Sequence, residues 1–183
     1  MRKLFVVIGI ILTASLSRTN AQSSIVHASI MFEIKNLGIA TGGSIGGLQT
    51  KVHFNAANLD ASTLEATVDV NTINTDNSGR DEHLRSEDFF DVVRYPKISL
   101  KSVAFKHKSG NNYLGSFILT IKGKSKQIEI PFTFLDKDDA IVFKGAFKIN
   151  RLDFGVGDKS MILSDEVTVT VNCEEKKQEL AKI

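Results

Sequence analysis

The sequence predicts an all-β chain, an antiparallel sandwich or barrel of about eight strands with a short helical lid. Three observations predict it. Apolar residues recur at every second position in run after run, turn-forming clusters separate the runs at hairpin spacing, and one stretch alone reads as helical.

At the N-terminus, Arg2 and Lys3 precede an apolar run from Leu4 to Leu12 that continues more weakly to Leu16. Small and polar residues follow as far as Ala21, which is the order of a secretory signal peptide. A membrane span would need about 20 apolar residues, and Ser15, Ser17, Arg18 and Asn20 interrupt the run too early. We therefore read 1–21 as a cleaved signal peptide and 22–183 as one domain, periplasmic or secreted. Cleavage removes Arg2, Lys3 and Arg18 and no acid, so 23 basic residues become 20 against 21 acidic ones, a net −1. That balance argues against a nucleic-acid binder, whose domain should carry a basic face.

The first strand reads from Val26, Ala28, Ile30, Phe32 and Ile34, alternating with His27, Ser29, Met31, Glu33 and Lys35. Next, Gly42, Gly43, Gly46 and Gly47 interrupt the segment to Phe54, which we read as one strongly bent or bulged strand. Leu64, Ala66, Val68 and Val70 restore the alternation. Asn77 to Val93 is the exception: acids at 81, 82 and 88 suit early helical turns, Ser86 can cap a second short turn, and Pro96 ends the region. Leu84, Phe89, Phe90 and Val92 give this lid an apolar side.

From Ile98 to Phe105 the apolar positions switch face near Ser102, as a bulge or barrel corner would make them do. Three more alternating strands follow, through Tyr113–Ile121, Ile128–Phe134 and Ile141–Ile149, and a last through Val167, Val169 and Val171. Ser109–Asn112, Lys122–Ser125 and Asp136–Asp139 mark the turns between them. Cys173 is placed at the end of the last strand, and the mixed-charge tail from Glu174 to Lys182 reads as a solvated terminus.

Chemical motifs are sparse. His27, His53, His83 and His107 lie in separate elements without paired metal spacing, and no nucleophile elbow, P-loop or dinucleotide fingerprint is present. We expect no catalytic residues, no metal site and no cofactor. Arg80, Asp81, Glu82, His83 and Arg85 form the densest polar cluster, and we read it as pinning a loop by ion pairs and backbone hydrogen bonds. A buried Arg151 would likewise satisfy carbonyls where strands diverge at a barrel rim. What remains is an apolar strand face that keeps 11 of 12 Phe after cleavage. A barrel of about eight strands is either filled by its side chains or holds one small ligand, and periodicity does not separate the two.

Phe32-x-Ile34-x-x-Leu37-Gly38, Val70-Asn71-Thr72-Ile73-Asn74-Thr75, Arg80-Asp81-x-His83-Leu84-Arg85-Ser86-x-Asp88-Phe89-Phe90-Asp91-Val92, Tyr95-Pro96-x-Ile98, Gly115-x-Phe117-x-Leu119-Thr120-Ile121-Lys122-Gly123 and Asn150-Arg151-x-Asp153-Phe154-Gly155-Val156-Gly157 follow one another along the chain, and together these spaced motifs resemble the YceI family. Asn36, where members often place His, is a departure. The resemblance implies a lipocalin-like β-barrel, periplasmic or secreted, that encloses a polyisoprenoid or related amphiphilic fatty-acyl molecule for transport or storage. On that reading Phe32, Ile34, Leu37, Phe117, Leu119, Phe132, Phe143 and Phe147 contact the ligand, with Phe89 and Phe90 at the lid. The alternatives are a hydrolase or isomerase-like enzyme acting on a lipid-like substrate around His83, Asp81 and Arg80, and an interaction module with a filled barrel. Edge-strand pairing would allow a homodimer.

Overall fold

A computed structural model describes residues 25–177, so the signal-peptide reading of 1–21 lies outside the described residues. Nine antiparallel strands form one curled sheet: β1 (Ile25–Asn36), β2 (Ile39–Ser44), β3 (Gln49–His53), β4 (Thr63–Asp69), β5 (Lys97–Ser109), β6 (Asn112–Ile121), β7 (Lys124–Asp136), β8 (Ala140–Asn150) and β9 (Leu163–Lys176). Their order across the sheet is β2-β1-β9-β8-β7-β6-β5-β4-β3.

The expected single bent strand over Gly42–Phe54 is two strands on opposite edges of the sheet, which raises the count to nine. Residues 45–48 carry the chain from one edge to the other and stitch them together. The Ile45 amide donates to Ile30 O at 3.0 Å, the Asp69 amide donates to Gly46 O at 3.1 Å, and Ser44 bridges Asn74. Gly43 permits that bridge, because a Cβ there would collide with Asn74 O.

Alternation is cleanest in β6, where Tyr113, Gly115, Phe117, Leu119 and Ile121 are buried and their neighbours are not. The Lys122-Gly123 turn that follows has φ of 48° and 73°, the left-handed pair that matches strand twist. In β5 the register shifts between Ser102 and Ala104, so the anticipated bulge is present. It turns Val103 outward, and the Ser102 hydroxyl accepts the Leu64 amide at 2.9 Å. Near the start of β1 a register shift between Ile25 and His27 leaves Val26 exposed rather than on the inner face.

The helical expectation over 77–93 shrinks to α1 (Ser78–Arg85), capped by the Asn77 side chain, which accepts the Arg80 amide at 2.9 Å. Ser86 ends this helix instead of starting another: its amide and hydroxyl both donate to His83 O. The residues that follow form tight turns, with Phe89 and Asp91 amides returning to Ser86 O.

Strands β7 and β8 pair only from Phe132↔Gly145 to Asp136↔Ile141. Pro131, which has no amide hydrogen to donate, stands where the ladder stops. Beyond it the strands part, and the 3-10 turn Arg151–Phe154 fills the gap with Phe154, 1% exposed. Phe154 and Val156 pack on Leu119 and Ile121 there, while at the other end Phe105, Tyr113, Phe132, Phe134 and Phe143 form an aromatic core around Phe54, joined by Phe117 and Ile130.

Candidate ligand cavity

The inner faces of the strands line a cavity of about 880 Å3, near the upper end of the ~300–1,000 Å3 range of small-molecule sites. The barrel is therefore not filled by its own side chains. Neighbouring strands supply the wall in register: Ile30↔Val171, Phe32↔Val169 and Ile34↔Val167 between β1 and β9, and Phe147↔Val169 between β8 and β9. Gly145 subtracts a side chain from the same face.

Of the ten residues named from the sequence, Phe32, Ile34, Phe89, Phe90, Phe117, Leu119, Phe132, Phe143 and Phe147 line this space. Leu37 does not. It sits in the two-residue turn between β1 and β2 with φ of 51° and is 71% exposed, because the strand ends one residue earlier and the turn aims the side chain at solvent. Missing from the sequence reading were the walls from β3 and β4: the alternation of Leu64 and Val68 is legible but their side of the barrel is not, and Val52 lies in the segment read as one bent strand.

Charged groups gather at the α1 end, where Arg80, His83, Asp88 and Lys159 border the cavity. The polar cluster read as a loop pin behaves as one. Asp81, 7% exposed, accepts the Thr75 amide at 2.9 Å and its hydroxyl at 2.5 Å. Arg80 donates to the Thr75 hydroxyl and carbonyl at 2.8 and 2.7 Å, and Arg85 donates to the carbonyls of Asn71 and Ile73. His83 stands outside that network, exposed, 3.7 Å from Asp88 and edge-on to the Phe89 ring.

Arg151 is 3% exposed and holds three carbonyls: Ser164 O at 2.9 Å, Val156 O at 2.9 Å and Asp158 O at 2.8 Å. It fixes the loop between β8 and β9 over the parted strands, and Asp165 lies 3.5 Å away as its counter-ion. Lys159 also pairs with Asp165.

At the opposite end the structure corrects the sequence reading. β9 does not stop at Cys173 but runs to Lys176, and Glu175, expected in a solvated tail, is 3% exposed and lines the cavity. The Cys173 thiol donates to the Glu175 carboxylate at 3.7 Å. Burial, reinforced by the Glu175 charge and this hydrogen bond, pushes the thiol pKa up to about 12, so Cys173 is a protonated donor and not a nucleophile. Among the described residues, no group of three His, Cys, Asp or Glu side chains is placed to hold a metal ion.

Comparison with known proteins agrees with this architecture. The chain is 31% identical over 114 residues to a UPF0312 protein of Pectobacterium carotovorum, an alignment covering 62% of this chain and 59% of that relative's length. It is 26% identical over 159 residues to a UPF0312 protein of Azotobacter vinelandii, with 83% of each covered. Among solved structures, Burkholderia cenocepacia BcnA superposes with a TM-score of 0.76 at 25% identity, over 80% of this chain and 95% of that one. A polyisoprenoid binding domain from Saccharophagus degradans shares the fold alone, with a TM-score of 0.65 at 13% identity over 86% and 98% of the two chains. The model of the YceI-like domain matches residues 22–175, nearly the whole of the curled sheet with its lid and its cavity, and the chain belongs to that family.

Proposed function

We propose that this protein binds a long apolar lipid, a polyisoprenoid or a related amphiphilic fatty-acyl molecule, in its cavity and carries or stores it without covalent chemistry. The observation that carries this reading is the predominantly apolar wall of a space of about 880 Å3 bounded by both halves of the sheet. Burial gains roughly 0.8 kcal/mol per CH2, so each five-carbon unit adds a few kcal/mol against the cost of association. The polyisoprenoid binding domain that shares this fold supports the same ligand class. Arg80, Asp81 and Arg151 at the α1 end are committed to holding loops, which supports a binding protein over an enzyme built on them. With the segment 1–21 read as a signal peptide, the protein would work in the periplasm or outside the cell.

The test is to express the full coding sequence, purify the exported protein without detergent, extract it with organic solvent and identify the lipids by mass spectrometry. A stoichiometric polyprenyl or fatty-acyl species is expected. An empty extract from folded protein that also fails to take up added isoprenoid would overturn the proposal.

A further inference from the structure

Along β9, Val167, Val169, Val171, Cys173 and Glu175 share one face, and all five line the cavity. Eight residues of extended chain place Glu175 about 27 Å from Val167, at the far end from α1. Its partners in register are Ile25 on β1 and Ile141 on β8, both apolar. The neighbouring Glu174 has Lys137 as a counter-ion 3.6 Å away, whereas no ion pair among the described residues involves Glu175.

The other buried charged residues are well supplied. Asp81 receives two donors from Thr75, Asp91 is paired with Arg94, and Arg151 donates to three carbonyls. A carboxylate has about four acceptor sites, and among the described residues the side chain of Glu175 receives one hydrogen bond, from a thiol, which is a weak donor. Among the described residues the one enclosed side-chain oxygen or nitrogen without a hydrogen-bond partner is Asp165 Oδ1; the Glu175 carboxylate lies instead at the cavity wall, where a donor that enters can occupy the acceptor sites the fold leaves open. Resting on the carrier reading above, we infer that Glu175, with Cys173 beside it, seats a hydrogen-bond donor, a hydroxyl or an ammonium, at the inner end of the bound chain. This site ranks ligands of equal apolar length by what they carry at their leading end.

The experiment is competition of 1-hexadecanol, hexadecylamine and hexadecane against a fluorescent pyrenyl alkane, on wild type, Glu175→Leu and Glu175→Gln, each checked for folding by circular dichroism. Wild type should bind the alcohol, the amine or both at least tenfold more tightly than the alkane, and the two arms separate hydroxyl from ammonium. Glu175→Leu should erase the preference while hexadecane binds at least as well as before. Glu175→Gln, which keeps shape and an acceptor, should lose any preference for the amine and retain one for the alcohol. An unchanged preference in folded Glu175→Leu overturns the inference, as does wild-type binding of hexadecane with no preference at all; both leave the carrier reading standing. If Glu175→Leu does not fold, an amine preference unchanged in Glu175→Gln, or an alcohol preference lost there, is equally fatal. Failure of all three probes on wild type removes the carrier reading and this inference together.

Discussion

The Phe117 ring folds back across Gly115, two residues earlier on the same strand, so closely that a Cβ on Gly115 would lie 2.7 Å from Cζ of the ring. The two positions are one packing unit on the cavity face of β6, and Phe105 holds the ring from the side with centroids 5.7 Å apart. Gly115→Ala should therefore displace the ring and cost about 1–3 kcal/mol, the usual range for overpacking. Urea unfolding would read the loss. Adding Phe117→Leu, which gives the new methyl room, should recover a large part of it; no recovery would show that the strain lies elsewhere.

Phe117 also tests the cavity wall directly. It is 3% exposed and faces the enclosed space, so an aspartate there sets a charge where the proposed chain must lie. Phe117→Asp should abolish retention of co-purifying lipid, while Phe117→Leu, which keeps the wall apolar, should keep it. Mass spectrometry of solvent extracts from both variants checks this, and wild-type lipid content in a folded Phe117→Asp protein would exclude the residue from the site.

Much of this was legible in the sequence because the strands obey one rule. Period two names the inner face of β6, β7 and β8, and the slip at Ser102 locates the β5 bulge, which the register confirms. What period two does not carry is which edge a strand occupies. The Gly-rich segment looked like one distorted strand because a break that sends the chain to the opposite edge and a bulge both use glycine. Leu37 misled for a related reason, since an apolar residue one step past a strand end belongs to the turn. Glu175 was lost to composition: among Glu174, Lys176 and Lys177 it looks like tail, although it continues the row Val167, Val169, Val171 and Cys173.

Arg151 should be among the least replaceable residues of the fold. Its guanidinium holds the Val156, Asp158 and Ser164 carbonyls over the place where β7 and β8 part. Arg151→Met removes all three donors and leaves Asp165 without its buried counter-ion, an expected loss of about 3–5 kcal/mol. Arg151→Lys should restore little, because one ammonium does not reproduce the planar fork. Chemical denaturation gives the magnitude, and hydrogen exchange should show 156–164 opening first. A loss below about 1 kcal/mol would mean that the loop is held by its apolar contacts alone.

The thiol of Cys173 predicts a pH dependence of known sign. Its pKa rises from 9.0 to about 12 on folding, from burial first and from Glu175 second. The thiol is protonated in both states below pH 9, where its contribution to stability is fully present. Between pH 9 and 12 the unfolded chain loses this proton and the native protein does not, which favours unfolding by about 1.4 kcal/mol per pH unit. The comparison is with Cys173→Ala, which keeps every other titratable group. Relative to that variant, wild type should lose stability as pH climbs from 9 to 11, and native Cys173 should resist alkylation by iodoacetamide throughout. Parallel stability curves for the two proteins, or rapid native alkylation at pH 9, would show that the thiol is neither buried nor held in its protonated form.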